Sequence, residues 1–235
     1  MIQVTIWSGR QHCETAVVAG LRALGPVEYL WFVHDPEQLI RLMDLSDGMG
    51  VSWRRLTAQT FPQIIHDPHG REVKMRACAE AFGAVVTALG GLREEVLLVD
   101  DDIVLPTGAL TQLQATAREL HADAVSGLTR CSNTALPAFR FSDQHRLTEG
   151  EIPAHPALID AVGTFCMYLT TPVVAVLNGY WPEIHTKIGA AVLNGHDLSF
   201  CHWLRTQGFK LALDPAVRCE HHVKTEDGGV IVLNV

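Results

Sequence analysis

Glu-Val-Leu-Leu-Val-Asp-Asp-Asp-Ile-Val-Leu-Pro, residues 95–106, joins an apolar run to three consecutive carboxylates. The run Val96–Val99 predicts a short buried strand. Asp100, Asp101 and Asp102 follow it directly, and adjacent negative charges repel one another and lose solvation when they are partly buried. Ligands of an open α/β sheet bind beyond the carboxyl ends of its strands, where this triplet lies. A divalent cation that also holds a phosphorylated substrate is the simplest counter-charge.

Strand-like and helix-like segments alternate on both sides of this stretch. Such alternation is typical of βαβ units and predicts an α/β fold with a mostly parallel central sheet flanked by helices. The predicted strands are Ile2–Trp7, Val27–Val33, Val51–Leu56 and Ala122–Leu128. The predicted helices are Glu14–Leu24, Glu37–Leu45, Val73–Leu89 and Thr107–Leu120, the last with Thr107 as its N-cap.

The pattern changes after residue 130. Residues 131–156 contain few periodic segments and predict an irregular excursion over the sheet. A strand is then predicted over Leu158–Leu169 and a helix over Asp197–Thr206. Phe209–Leu213 and Ala216–Glu220 predict two short strands, and residues 223–235 form a polar tail.

Composition is that of a globular enzyme. Apolar residues make up 48% of the 235 residues and charged residues 19%. The net charge of −8 argues against a nucleic-acid surface. No apolar run reaches the ~18 residues of a transmembrane helix, and the N-terminus lacks the pattern of a signal peptide, so we expect a cytoplasmic protein. The six cysteines form no Cys-x-x-Cys pair, which argues against a zinc ribbon or a thioredoxin-type site.

The order of four motifs resembles that of GT-A glycosyltransferases, most closely the large family 2 group. The family motif Leu-Asp-Ala-Asp-x-x-x-Pro is similar to Val99–Pro106, and its Gly-Glu-Asp-x-x-Phe/Leu helix start is similar to Gly195–Phe200. A Gly-x-Phe…Gly-Gly-Phe-Asp-Glu segment is matched loosely by residues 163–183, and Asp214-Pro215 is followed by His221. The resemblance implies one GT-A domain over 1–235, with a nucleotide-binding half over 1–130 and an acceptor-binding half over 131–235.

The resemblance assigns metal and donor contacts at the carboxylate triplet. Asp102 and Asp100 would hold Mn²⁺ or Mg²⁺ against the diphosphate of a sugar nucleotide, for which we expect a UDP-sugar, and Asp101 would contact the same donor. Asp100 could instead face the ribose. His221 would be the third metal ligand, with His222 as the alternative. A purely structural interpretation is that the triplet caps the helix after Pro106.

The resemblance also assigns the acceptor side of the site. Asp197 would be the general base of an inverting transfer, although a carboxylate at a helix start is often only an N-cap. His196 stands where the family has a glutamate and would contact the acceptor; this departure leaves a retaining mechanism open. Trp181 would stack on the acceptor or would be a core side chain.

The N-terminal half matches the family less well. Of the usual Pro-Thr-Tyr-Asn-Arg turn after the first strand, only Arg10 remains, in Trp7-Ser8-Gly9-Arg10, and the resemblance implies that it contacts the donor. Asp35 follows the second strand and could bind the base or ribose. Lys74 and Arg76 could hold the diphosphate, or could be solvated helix charges.

The sequence therefore predicts a metal-dependent glycosyltransferase with an unidentified hydroxyl acceptor. One alternative is a nucleotidyltransferase of similar fold, but Ser8-Gly9-Arg10 is a poor match to its Gly-rich phosphate loop. A haloacid dehalogenase-type phosphatase would need a late acidic pair at a strand end, whereas Glu226-Asp227 lies in the polar tail. A non-catalytic nucleotide- or sugar-binding relative stays open, as does a homodimer.

Overall fold

The computed structural model describes most of the chain. The described residues are 1–7, 11–24, 27–33, 36–49, 55–58, 71–130, 136–143, 145–183, 185–188, 191–225 and 229–235. The helices are α1 Gln11–Arg22, α2 Pro36–Met49, α3 Arg71–Leu89, α4 Ala109–Leu120, α5 Thr171–Val176 and α6 His196–Thr206. No helix of the described part combines the length and hydropathy needed to cross a membrane.

The strands of the described residues group into one large sheet and three small ones. The strands of the first half are β1 Ile2–Trp7, β2 Glu28–Val33, β3 Arg55–Ala58, β4 Val96–Asp100, β5 Ile103–Val104 and β6 Ala124–Leu128. Those of the second half are β7 Ala138–Arg140, β8 His145–Arg146, β9 Ala157–Ile159, β10 Ala161–Val162, β11 Cys166–Leu169, β12 His185–Ile188, β13 Ala191–Asn194, β14 Leu211–Arg218, β15 Glu220–Lys224 and β16 Val230–Leu233.

The large sheet confirms the predicted α/β fold. Its order is β3-β2-β1-β4-β11-β6-β14-β9, and both halves of the chain contribute strands to it. β3, β2, β1 and β4 run parallel, as do β6 and β14, whereas β11 and β9 are antiparallel to their neighbours. Since β1 and β4 end side by side, residues that follow β4 emerge at the carboxyl edge of the parallel strands.

Alternating side chains of β4 divide the core into two layers. Val96 and Leu98 belong to the cluster that includes Phe82 of α3 and Phe200 of α6. Leu97 and Val99 belong to the opposite cluster, which takes side chains from α1, α2 and α4. Because successive strand residues point to opposite faces, a run that is apolar throughout predicts a strand covered on both sides, as observed.

Four expectations about local structure are wrong. α4 begins at Ala109, and its N-cap is Gly108 rather than Thr107, because the chain enters the helix through a left-handed residue (φ 79°). The apolar stretch over 158–169 is divided among three strands, of which β9 and β11 belong to the large sheet and β10 to a small one. β14 is one strand with an irregular register, not two short strands. The supposed polar tail contains β16, which pairs with β15.

The region after residue 130 also contains more regular structure than expected. β7 and β8 pair with each other, and β10 pairs with the other side of β7. This small sheet places Pro137 near the loop that leads into β11. Its strands are only two or three residues long, too short for a periodic sequence pattern to reveal them.

Candidate functional site

One cleft brings together side chains that are distant in the sequence. It encloses about 230 Å³ beyond the carboxyl end of β4. Five predicted site residues line it: Asp100, Asp102, His196, Asp197 and His221. The loop that leads into β11 forms another wall through Gly163, Thr164 and Phe165. The cleft thus lies at the end of the sheet where α/β proteins bind ligands.

Backbone pairing brings Asp102 to His221. β5 runs antiparallel to β15, with Ile103 opposite His221, and the His222 N–H donates to the Asp102 carbonyl at 2.8 Å. The Asp102 Oδ2 atom lies 3.1 Å from His221 Nε2. Asp102 is 8% exposed, so its charge lies in a largely desolvated position and requires a positive partner.

The second ring nitrogen of His221 determines what Nε2 can do. Nδ1 lies 2.7 Å from the backbone carbonyl of Arg130. Because a carbonyl only accepts hydrogen bonds, Nδ1 must carry the hydrogen. Nε2 therefore presents either a lone pair or a second proton toward the carboxylate. A hydrogen-bonded Nδ1 that orients Nε2 is the usual arrangement of a metal-binding histidine.

The neighbouring His222 has a different environment. Its Nε2 lies 3.2 Å from Oε2 of the exposed Glu220. His221, not His222, contributes to the lining of the cleft in the described structure. Successive strand residues point to opposite sides, so the pairing of β15 selects one of the two histidines.

The three carboxylates after Val99 are not equivalent. Asp100 and Asp102 line the cleft, whereas Asp101 is only 2% exposed and is not among the described residues that line it. The capping interpretation is wrong, because the N-cap of α4 is Gly108, without a side-chain cap hydrogen bond. The chain turns at Asp101 and Asp102 after β4 ends, and this turn leaves Asp100 and Asp102 at the cleft while Asp101 is buried.

The donor set fits a metal ion that shares its coordination with a substrate. Asp102 and His221 offer oxygen and nitrogen 3.1 Å apart. Ligand atoms in neighbouring octahedral positions about 2.1 Å from a metal lie about 3 Å apart. Within the described residues, no three His, Cys, Asp or Glu side chains are grouped as a complete protein-only site. Asp100 lines the same cleft but does not complete such a group.

Asp197 lies at the start of α6 and lines the same cleft. The N-cap of α6 is Gly195, so the interpretation of Asp197 as the N-cap is wrong. Asp197 Oδ1 accepts a hydrogen bond from the Leu198 N–H at 2.9 Å. A carboxylate in the first turn of a helix is also stabilised by the helix dipole. This carboxylate is therefore held in place and available for acid–base chemistry.

Gly195 makes this position of the carboxylate possible. Its φ of +124° belongs to a region that only glycine adopts without strain. A Cβ on Gly195 would lie 2.5 Å from Asp197 Oδ1. The signal in the sequence was the glycine that precedes His196 and Asp197, but its φ could not be predicted from that position alone.

His196 links the cleft to the aromatic core. Its ring centroid lies 5.1 Å from that of Phe82. Burial lowers the pKa of His196 below its ordinary value, and the nearby Asp197 carboxylate offsets part of this effect. The imidazole is thus neutral at neutral pH and can exchange hydrogen bonds with a hydroxyl group.

Trp181 does not lie at this cleft. Its side chain is 82% exposed, so the interpretation of Trp181 as a core residue is wrong. It lines a second cleft, of about 450 Å³, beside α6. The sequence assigned Trp181 and His196 to one group of acceptor contacts, whereas the structure places them in different clefts.

The remaining predicted donor contacts are beyond what the structure describes. Arg10 and Asp35 lie outside the described residues. Lys74 and Arg76 are in the first half of α3, but their side chains lie outside the described part. Sequence reasoning missed Arg130, which acts on His221 through its carbonyl; a backbone contact leaves no side-chain signal.

Comparisons with known proteins concern the whole fold rather than the residues of this cleft. The family model described as glycosyltransferase like family 2 matches residues 55–232. The crystal structure of residues 1–349 of S. aureus TarS is similar, with a TM-score of 0.50 and 12% sequence identity. The match covers 90% of this chain, which spans 57% of the TarS chain. At this identity the likeness shows a shared fold. A search of curated proteins finds no match.

Proposed function

Because the chain belongs to the family of glycosyltransferases like family 2, we propose that it transfers a sugar from a nucleotide-diphosphate donor to a hydroxyl acceptor. The observation that carries the proposal is a single cleft shared by Asp102, His221 and Asp197. A ligand pair for a cation and a carboxylate for proton transfer thus lie around one cavity. A metal-dependent, inverting transfer uses both functions, one for the leaving group and one for the nucleophile.

Asp102 and His221 would hold Mn²⁺ or Mg²⁺, with Asp100 beside them in the cleft. The imidazole ligand favours Mn²⁺ over Mg²⁺. The bound cation would neutralise the charge that develops on the departing nucleoside diphosphate. Arg130 contributes by holding Nδ1 of His221, so that Nε2 stays directed toward Asp102.

Asp197 would accept the proton of the acceptor hydroxyl in an inverting transfer. The Leu198 N–H and the helix start fix its carboxylate at the edge of the cleft. His196 precedes it and would exchange a hydrogen bond with the acceptor, since the lowered pKa keeps the imidazole neutral. A retaining enzyme would need no such base, so the stereochemistry of the product tests this role.

We assign donor binding to the half of the chain over 1–130 and acceptor binding to the half over 131–235. The donor would be a UDP-sugar whose diphosphate meets the cation at Asp102. Arg10, Asp35, Lys74 and Arg76 are the further donor contacts that we propose from the family resemblance. Lysine and arginine side chains suit the diphosphate, and the Asp35 carboxylate suits the ribose hydroxyls.

The test is a transfer assay with labelled donors. The purified protein is incubated with UDP-, GDP-, CDP- or TDP-sugars labelled in the sugar, a mixture of saccharide acceptors, and either Mn²⁺ or EDTA. We expect metal-dependent incorporation of label from UDP-sugars into an acceptor, with release of UDP. Tight binding of the nucleotide without release or incorporation would contradict a transferase and would support a non-catalytic binding protein.

A further inference from the structure

The second cleft, which Trp181 lines, extends along the side of α6. Ser199, Trp203 and Thr206 follow a spacing that lies along one face of the helix, and all three line this cleft. Asp197 precedes Ser199 by two residues, which places the two about 200° apart around the helix axis. The same helix therefore faces the catalytic cleft at its first turn and the second cleft along its side.

Two tryptophans give this cleft an apolar floor and rim. Trp181 is 82% exposed, an unusual position for so large an apolar side chain. Trp203 is half-buried, and its ring lies 5.3 Å from that of Tyr180 and 6.2 Å from that of Phe200. Trp203 is thus packed against the core, whereas the indole of Trp181 is exposed to solvent.

Polar groups accompany the two indoles. The same cleft is lined by four polar residues, Glu183, Lys187, His202 and Thr206. Aromatic and polar side chains together suit a pyranose ring, because its C–H groups pack on an aromatic face while its hydroxyls need hydrogen-bond partners. The cavity of about 450 Å³ also lies within the range of roughly 300–1,000 Å³ that is usual for small-molecule sites.

The hydroxyl group of Tyr180 contacts one residue from each of the two clefts. It is only 5% exposed, and its hydroxyl lies 3.4 Å from the His196 carbonyl and 3.3 Å from Ser199 Oγ. His196 lines the catalytic cleft, and Ser199 lines the second one. Because Asp197 and Ser199 lie on opposite sides of α6, a ligand that occupied both clefts would have to pass around the N-terminal end of the helix.

We propose that the second cleft binds a sugar unit of the acceptor, so that the acceptor is a glycan rather than an isolated hydroxyl compound. This inference rests on the proposed function, because it takes the catalytic cleft as the place of transfer. Trp181 stacks on the sugar ring, and the polar side chains around it bind the hydroxyls. Acceptor specificity then depends on a site beyond the one that holds the reacting hydroxyl.

A glycan array tests the proposal without donor or metal. Fluorescently labelled wild-type protein is compared with Trp181→Ala, Trp181→Phe and Ile40→Ala. Ile40 is the matched control, since it is a large apolar residue, 60% exposed, on α2. We expect the wild type to bind a defined set of glycans, Trp181→Ala to bind them at least about tenfold more weakly, and the other two variants to resemble the wild type.

The outcomes separate this inference from the proposed function. Absence of glycan binding by the wild type, or equal binding by Trp181→Ala, would overturn the second cleft as a sugar site. Thermal stabilisation by UDP with Mn²⁺ serves as the separate readout of the catalytic cleft, and Trp181→Ala should leave it unchanged. Glycan binding that depends on Trp181, in a protein that transfers no sugar, would support the glycan site and contradict the transferase.

Discussion

Asp102 Oδ2 lies 3.1 Å from Nε2 of His221, although 119 positions in the chain separate the two residues. The contact depends on the pairing of β5 with β15, and the Arg130 carbonyl orients the imidazole ring. A desolvated carboxylate beside a nitrogen in this orientation is a place for a positive charge. We therefore propose this pair as the centre of the catalytic cleft.

The two adjacent histidines provide a matched test of the metal site. His221→Ala removes the nitrogen that faces Asp102, so we expect it to reduce Mn²⁺ affinity by at least about tenfold, as loss of a ligand or of its orienting partner typically does. His222→Ala removes a ring that lies beside Glu220 and should leave the affinity unchanged. Titration of both variants with Mn²⁺, followed by electron paramagnetic resonance, measures the difference; equal losses would show that the assignment to His221 is wrong.

Asp197→Asn tests the general base. The amide keeps the size of the side chain and can still accept a hydrogen bond from the Leu198 N–H, but it cannot take a proton at neutral pH. We expect turnover to fall by ~10²-fold or more, while the affinity for the nucleoside diphosphate stays close to that of the wild type. Steady-state kinetics and diphosphate titration give the two quantities. Wild-type turnover in this variant would exclude Asp197 as the base.

Comparison of Gly195→Ala with Gly208→Ala separates the effect of backbone strain on stability from the effect of a displaced Asp197 on turnover. Both glycines have positive φ, so each substitution should cost about 1–3 kcal/mol of stability. Only the Cβ at position 195 would collide with Asp197 Oδ1; nothing lies within 4 Å of a Cβ at position 208. Denaturant unfolding should show a loss of stability in both variants, larger in Gly195→Ala because of the collision, whereas turnover should fall only in Gly195→Ala. Equal turnover in the two variants would mean that the position of Asp197 has no influence on catalysis.

His196 should contribute to the pH dependence of stability. Burial lowers its pKa in the native state below the value of about 6.5 that applies to the unfolded chain. The unfolded state therefore binds more protons as the pH falls below about 6.5, and the native state loses stability there. The slope from this group is at most about 1.4 kcal/mol per pH unit.

Two substitutions isolate this contribution. His196→Asn should lose less stability between pH 7 and pH 5 than the wild type does, because the titrating ring is gone. His155→Asn, at an exposed position, is the control and should keep the wild-type pH dependence. Denaturant unfolding across this pH range provides the measurement, and an unchanged slope in His196→Asn would contradict the effect of burial on the imidazole.

Local patterns explain which parts of the fold were predictable. The apolar run of β4 predicted a strand buried on both faces, and the helical spacing before it predicted α3. β5 contains two residues, and its partner β15 lies more than 100 positions later, so no local pattern indicates their pairing. Short strands are defined by their partners more than by their own sequence.

The candidate site was likewise predictable from the sequence only in part. The carboxylates after β4 and the Gly-His-Asp start of α6 are contiguous motifs, and family resemblance was sufficient to single them out. The choice between His221 and His222 needed the register of β15, and the exposure of Trp181 needed the packing around Tyr180. The positions of Trp181 and His196 in separate clefts could not be inferred from residue type.

The most direct test of the central claim is a thermal-shift measurement with UDP, with and without Mn²⁺, on the wild type and on His221→Ala. A ligand at 100 times its dissociation constant adds about 2.7 kcal/mol to the stability of the native state. For a chain of this size, that corresponds to a rise of about 5–10 °C in the apparent Tm. We predict this rise only for the wild type with both UDP and Mn²⁺ present. A rise of the same size without the metal, or in His221→Ala, would contradict a metal-held diphosphate at Asp102 and His221.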